Sequence, residues 1–223
     1  MLESLKQAVY EANLLLPRYK LVAFTWGNAS GVDREAGLVV IKPSGVDYAD
    51  LTSDNMVVLD LDGNIIEGNL RPSTDAPTHI ELYKRFKNIG GVVHTHSRWA
   101  TIFAQQKQPI KPLGTTHADY FYGAIPCTRP LYDSEINGDY ERETGAVIAD
   151  CHPDPDGIPA VLVANHGPFT WGKDVFEAAF HSAVLEEVAF MAWHNDNAEA
   201  ISQSILDRHY LRKHGKNAYY GQS

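Results

Sequence analysis

Positive charge, cysteine and long apolar runs are all scarce in this chain. Nineteen Lys and Arg face 28 Asp and Glu, for a formal net charge of -9. A chain of that sign repels a phosphate backbone, so no nucleic-acid partner is expected. No apolar stretch approaches the roughly 20 residues that cross a bilayer, so no membrane span is expected. The first residues, Met1 to Gln7, lack the basic-then-apolar pattern of a secretory signal, and a cytoplasmic location is the expectation. Of the two cysteines, Cys127 and Cys151, neither belongs to a C-x-x-C pair, and both read as reduced thiols. Internal repeats and linkers are absent as well, which points to one domain.

What remains is ordinary globular composition: 223 residues, 44% hydrophobic and 21% charged, enough for a substantial core. Ten histidines and eleven tyrosines are more informative, because several sit in short polar-apolar motifs. The stretch from Ile89 to Ser97 reads as a buried strand that delivers two histidines, His94 and His96. Side chains alternate along a strand, so these two imidazoles share a face while Thr95 points away. Paired imidazoles of this kind form two corners of a metal site, or else two core histidines that each need a hydrogen-bond partner. Ala160 to His166 repeats the pattern, an apolar strand with an imidazole at its end. Three histidines from two strand ends make a three-ligand site with an open position.

In chain order, Leu2, Leu5, Val9, Ala12 and Leu16 recur at helical spacing until Pro17. Leu21 onward predicts a short apolar strand that runs into a turn with Gly27, Asn28, Ser30 and Gly31. Gly37 to Ile41 predicts a strand leading into Lys42-Pro43-Ser44-Gly45, where a cation, a hydroxyl and a flexible backbone meet. Asn55 to Asp60 and Asn64 to Glu67 flank an Asp62-Gly63 hairpin signal. Arg71 to His79 is dense in hydroxyls and leads into a helix through Phe86. There Ser73 and Thr74 either cap the helix or donate to an anion, and Asp75 is either a helix-start carboxylate or a functional acid. Ser97 reads as the N-cap of a helix to Gln106, and Thr115 to Gly123 as a loop rich in aromatic and acidic residues. A helix from Asp133 to Asp150 is loosened at Gly138, and Cys151 to Pro159 is a surface turn. A long helix from Lys173 or Asp174 to about His194 carries the apolar residues Val175, Ala179, Val184, Val188 and Met191. A last helix, Ala198 to His214, ends in Arg208, Arg212, Lys213 and His214, which suit its dipole. The tail through Tyr219 and Tyr220 is aromatic enough to dock on its own subunit or a neighbour. The predicted fold is a single-domain α/β sandwich, a mixed central sheet with helices on both faces.

Several motifs now stand together: Thr25-Trp26-Gly27-Asn28, Ile41 to Val46, Asp75 to His79, Val93-His94-Thr95-His96-Ser97, Gly114 to Phe121, Asn165-His166-Gly167-Pro168-Phe169, His209 to Gly215 and Tyr219-Tyr220-Gly221-Gln222. With them the chain resembles, over essentially its whole length, the L-ribulose-5-phosphate 4-epimerases of the class II (metal-dependent) aldolase family. That resemblance implies a class II aldolase-like domain over residues 1–223, whose tail from about 215 contributes to an active site. It implies a divalent metal, typically zinc with manganese or cobalt as alternatives, on His94, His96 and His166, with Asp75 the carboxylate at that site. Aldolases of the family carry a glutamate there, and the shorter aspartate fits the epimerase branch. Gly27, Asn28, Ser44, Gly45, Ser73 and Thr74 match phosphate-binding positions, with Lys42 nearby. Asp119 and Tyr220 match an acid/base pair supplied by a neighbouring subunit of a homotetramer. Thr115 and His209 match further active-site positions.

The function so implied is C4 epimerisation of a phosphorylated ketopentose, L-ribulose 5-phosphate to D-xylulose 5-phosphate, in arabinose or ascorbate breakdown. Two other readings stay open: a sugar-phosphate aldolase acting on L-fuculose or L-rhamnulose phosphate, and a non-catalytic zinc or sugar-phosphate binding protein.

Overall fold

The computed structural model describes residues 2–151, 154–195, 197–216 and 218–220; residues 152–153 of the surface turn and 221–223 of the tyrosine tail lie outside them. The chain opens with α1 (Leu2–Arg18), then β1 (Asn28–Asp33), β2 (Leu38–Ile41), β3 (Val57–Asp60) and β4 (Ile65–Glu67). Next come α2 (Ala76–Arg85), β5 (Gly91–His94), α3 (Arg98–Gln106) and the short α4 (Thr115–Ala118) and α5 (Asp133–Ile136). The rest is α6 (Tyr140–Cys151), β6 (Ala160–Leu162), β7 (Pro168–Gly172), α7 (Val175–Trp193) and α8 (Gln203–Leu211).

Seven strands form one sheet in the order β4-β3-β2-β1-β5-β7-β6. Period-two alternation divides its side chains between two cores. Val39, Ile41, Val57, Leu59 and Val92 pack against Ile80 and Tyr83 of α2 and Ile148 of α6. Their neighbours Val40, Val58 and Val93 face Val9, Ala12 and Leu16 of α1 and Val175, Ala178 and Ala179 of α7. Helices therefore cover both faces of a single-domain α/β fold, as the sequence predicts. The sheet itself is antiparallel at every strand pairing rather than mixed, and the one parallel contact described is an isolated bridge between Cys127 and Leu162. Short hairpins join three of the six neighbouring pairs, β1–β2, β3–β4 and β6–β7, which fixes those pairings as antiparallel.

Other departures from the sequence reading are local. Leu21 to Gly27 is not a strand; β1 starts at Asn28, so the glycine- and serine-bearing segment is itself the strand. Gly27 adopts a φ of +75°, and a Cβ there would lie 3.0 Å from the His94 carbonyl. Pro17 falls inside the last turn of α1. β6 stops at Leu162, and Pro168–Gly172 forms a further strand, so His166 occupies the turn between them. The run Ala160 to His166 is apolar almost to its end, but only its first three residues find a ladder partner. Thr115 to Ala118 is one helical turn rather than loop. Met191 is exposed, because α7 buries Leu185, Val188, Ala189 and Ala192 instead. Ser97 does not cap α3 with its side chain. The Glu186 carboxylate of α7 supplies the cap, accepting the N–H of Trp99 at 2.9 Å and of Ala100 at 3.0 Å.

The start of α7 lies directly on β5, and Gly91 makes that approach possible: a Cβ there would overlap the backbone of Val175. We expect Gly91→Ala to destabilise the fold by about 2–3 kcal/mol, the usual cost of overpacking a core. Urea unfolding should show a lower midpoint at unchanged slope.

Candidate functional site

His94 is the last residue of β5 and lies between two strands, opposite Asn28 of β1 and Phe169 of β7. Cross-strand neighbours share a face, so Asn28, His94 and Phe169 make a row at one end of the sheet. The His94 ring stacks on Phe169 at 4.2 Å between centroids, and its Nδ1 lies 3.0 Å from the Pro168 carbonyl. A carbonyl only accepts, so Nδ1 carries the proton and the Nε2 lone pair is left free. That lone pair meets Nε2 of His96 at 3.1 Å.

His166 completes the group from the β6–β7 turn. Asn165 at φ +65° shapes that turn, and its N–H donates to the Ala104 carbonyl at 2.9 Å. The His166 ring lies 4.7 Å from His94 and 5.1 Å from His96, and its Nδ1 is buried without a hydrogen-bond partner. One ligating atom from each of the three histidines falls within 4.8 Å of the others. Burial, with His94 and His96 alongside, pushes His166 down to about 3, and burial with His94 also lowers His96. Both rings are therefore neutral at physiological pH, the form that ligates a metal. Three convergent imidazoles, one oriented by a backbone carbonyl and one with an orphaned buried nitrogen, fit a divalent ion with an open coordination position.

Asp75 stands beside this cluster but outside its tightest set of atoms. Its Oδ2 accepts the Asn28 side-chain amide at 2.6 Å. Burial works to raise the Asp75 carboxyl, and His94, His79 and the Asn28 hydrogen bond outweigh it, holding it below the ordinary range. Asp75 occupies the N-cap position of α2 without capping with its side chain. Ser73 serves the start of that helix instead: its Oγ accepts the Asp75 N–H at 3.3 Å and its carbonyl the Ala76 N–H at 3.1 Å.

A cleft of about 460 Å³ opens over these groups, lined by Thr25, Trp26, Gly27, Asn28, Lys42, Pro43, Ser44, Gly45, Ser73, Thr74, Asp75 and the three histidines. The candidate phosphate positions around 27, 44 and 73 thus all reach one cavity. Backbone hydrogen bonds tie the loops together, Ser44 N–H to Arg71 O at 2.9 Å and Ser73 N–H to Lys42 O at 3.0 Å. The Lys42 side chain is buried, and Nζ donates to the carbonyls of Pro43 at 3.3 Å and Thr25 at 3.5 Å and lies 5.0 Å from the Tyr48 ring centroid. Burial lowers its pKa against the pull of Asp47, and no salt bridge to Lys42 occurs among the described residues.

Asp119, Tyr220, Thr115 and His209 do not line this cleft; they gather elsewhere. Thr115 opens α4, and its carbonyl accepts the Asp119 N–H at 2.9 Å. The Asp119 carboxylate accepts from His209 Nδ1 at 3.0 Å and from Arg212 Nη2 at 2.9 Å, with Lys213 Nζ at 3.3 Å. Burial raises the Asp119 carboxyl, but these donors prevail and hold it low. Tyr220 is 60% exposed, its ring against Arg212 and Lys213. The sequence reading gives Arg212 and Lys213 only to the helix dipole; their partners lie 93 residues away, at Asp119 and Tyr120. It also gives no role to Phe169 and Trp26, which the Asn-His-Gly-Pro-Phe and Thr-Trp-Gly-Asn runs contain.

Replacing His94 with Asn should cut bound divalent metal to below about a tenth of the wild-type content, since one ligand and its orienting contacts go together. Elemental analysis of the purified protein checks this, and full metal content in the variant would remove His94 from the site.

The family profile described as Class II Aldolase and Adducin N-terminal domain matches residues 7–193. Among solved structures, an L-fuculose 1-phosphate aldolase is 23% identical over 94% of this chain and 95% of its own, with a TM-score of 0.80. YgbL of Klebsiella pneumoniae, described by the alternatives aldolase, epimerase and decarboxylase, is 21% identical over 93% and 98%, with a TM-score of 0.76. The L-fuculose-1-phosphate aldolase of Thermus thermophilus is 25% identical over 86% and 94%, with a TM-score of 0.67.

Proposed function

The chain belongs to the class II aldolase and adducin N-terminal domain family, and from that premise we propose that it converts L-ribulose 5-phosphate to D-xylulose 5-phosphate by breaking and remaking the C3–C4 bond. The observation that carries this reading is the single cleft in which the imidazole cluster, Asp75, a buried cation and hydroxyl-bearing loops meet. C4 of a 2-ketose has no adjacent carbonyl and is a poor carbon acid. Loss of the C4 hydroxyl proton with C3–C4 cleavage is the better route, because the electron pair passes to C3 and the C2 carbonyl. A divalent metal on His94, His96 and His166, zinc first among the candidates, would stabilise the charge that develops there as a Lewis acid.

The chain's own residues supply the rest. Lys42 forms no salt bridge among the described residues, and a phosphate dianion would offset that buried charge. The Ser44, Gly45, Ser73, Thr74, Asn28 and Gly27 positions surround the cleft with hydroxyl, amide and backbone donors. A grip with several anchors holds the two-carbon phosphate fragment while its aldehyde turns to present the other face. Asn28 orients Asp75 through its 2.6 Å hydrogen bond, so that carboxylate faces the cleft in a fixed pose. Removing the proton from one C4 hydroxyl and returning one to the new alkoxide calls for two acid/base groups on opposite sides of that oxygen. Asp119 and Tyr220 are that pair in this reading. They stand apart from the cleft of their own chain, and we assign them to the cleft of a neighbouring copy in a homotetramer, with Thr115 and His209 supporting Asp119.

Incubation with L-ribulose 5-phosphate and a divalent metal should yield D-xylulose 5-phosphate by NMR, and a chelator should abolish it. Accumulation of free aldehyde in a coupled assay would identify a cleaving aldolase instead. Tyr220→Phe should lower epimerisation by about 100-fold, the scale of a positioned proton donor or acceptor, with metal content retained. Full activity in that variant would take Tyr220 out of the reaction.

A further inference from the structure

Asp119 and Tyr220 are 101 positions apart in sequence, and of the two basic residues at the end of the C-terminal helix that touch both, Arg212 makes the more extensive contacts. Arg212 donates from Nη2 to both Asp119 oxygens at 2.9 Å, and from Nε to Oδ1 at 3.2 Å. Its backbone carbonyl accepts the N–H of Tyr219 at 2.9 Å and of Tyr220 at 3.0 Å. Its guanidinium lies 4.9 Å from the Tyr220 ring centroid. A single residue thus holds the carboxylate through its side chain, the tail through its carbonyl and the phenol through a cation–π contact.

We propose that Arg212 is a positioning residue that couples Asp119 to Tyr220 and fixes their separation. The inference rests on the proposed epimerase reading, in which those two groups act on opposite sides of one oxygen. Lys213 shares part of the role. Its ammonium reaches Asp119 at 3.3 Å, Tyr120 Oη at 3.1 Å and the Tyr220 ring at 4.5 Å from its centroid, but it offers a point charge rather than a planar fork, and the carbonyl that accepts the Tyr219 and Tyr220 N–H groups is that of Arg212. His209 holds Asp119 from another direction and shares no contact with Tyr220 among the described residues. Among those residues, Arg212 alone grips the carboxylate with a fork and the tail with its backbone. Tail residues usually fray. A two-point hold from the end of α8 keeps a phenol with a largely exposed ring at one distance from the carboxylate.

The test uses full-length Arg212→Ala and Arg212→Lys with added guanidinium ion. Arg212→Ala should lower kcat by about 100-fold, the share a positioned acid/base pair supplies, while KM stays within about threefold. Metal content and subunit assembly should match wild type. Millimolar guanidinium should restore at least about a tenth of the lost rate to Arg212→Ala, because it refills the fork. Arg212→Lys should stay impaired, because a single ammonium nitrogen cannot supply the second donor that Nε gives to Oδ1. Wild-type kcat in Arg212→Ala, or a loss accompanied by dissociation or metal release, overturns the proposal. A second readout does not depend on turnover. In protein labelled with fluorotyrosine, the Tyr220 resonance, assigned by its disappearance in Tyr220→Phe, should move in both Arg212→Ala and Asp119→Asn. If wild type fails to turn over L-ribulose 5-phosphate, the epimerase reading falls and this resonance alone decides the coupling; an unmoved signal refutes it.

Discussion

The stacking of His94 between its neighbours is the contact on which the site depends. One ring is fixed in plane by Phe169 and in tautomer by the Pro168 carbonyl, and both partners come from a single strand paired in register beside it. With its Nδ1 proton committed to that carbonyl, His94 can only present an Nε2 lone pair to the cleft. His96 and His166 then have a fixed point to converge on. The fit of the cleft to a divalent metal follows from a β-ladder and one backbone acceptor, not from the imidazoles alone.

The same ladder explains why the cleft is where it is. Asn28, His94 and Phe169 stand side by side because β1, β5 and β7 are adjacent and antiparallel. Asn28 carries the arrangement across to Asp75 at the start of α2, and Gly27 lets the chain turn over the His94 carbonyl. The loops after β2 and before α2 are joined by backbone hydrogen bonds, which brings Lys42 together with Ser44 and Ser73. A buried ammonium with two carbonyls and the Tyr48 ring beside it, and no salt bridge among the described residues, is costly in isolation. Its place in a polar cleft is what supports the proposed phosphate grip.

Charge is divided differently in the second cluster. There Asp119 is contacted by His209, Arg212 and Lys213, so it is held as a carboxylate and its orientation is over-determined. The two clusters have opposite characters. One is a pocket short of anions; the other is a carboxylate and a phenol bound to a basic helix end. That complementarity is what the proposed assembly of several copies would use, and in that proposal the C-terminal segment has a chemical task beyond closing the fold.

Much of this is legible in the chain itself. Alternation puts Val39, Ile41, Val57 and Leu59 on one core and Val40 and Val58 on the other; helical spacing places α1, and Asp174 marks the start of α7. The candidate residues of the cleft all stand in short motifs, because turn glycines, hydroxyl clusters and paired histidines are local signals. Four features have no such signal. The sheet is antiparallel throughout, and His166 comes from a turn rather than a strand end, because an apolar run does not reveal which of its residues find ladder partners. Glu186, not Ser97, caps α3, since a cap donated by another helix leaves no trace in the capped segment. Arg212 belongs to Asp119 rather than to a helix dipole, since a contact across 93 residues has no local pattern. Residue chemistry read along the chain settles which side chains are able to bind metal, anion and proton. Which of them meet is settled by the folded arrangement, because distances between residues remote in the chain follow from packing and register, and neither is written in any short stretch of residues.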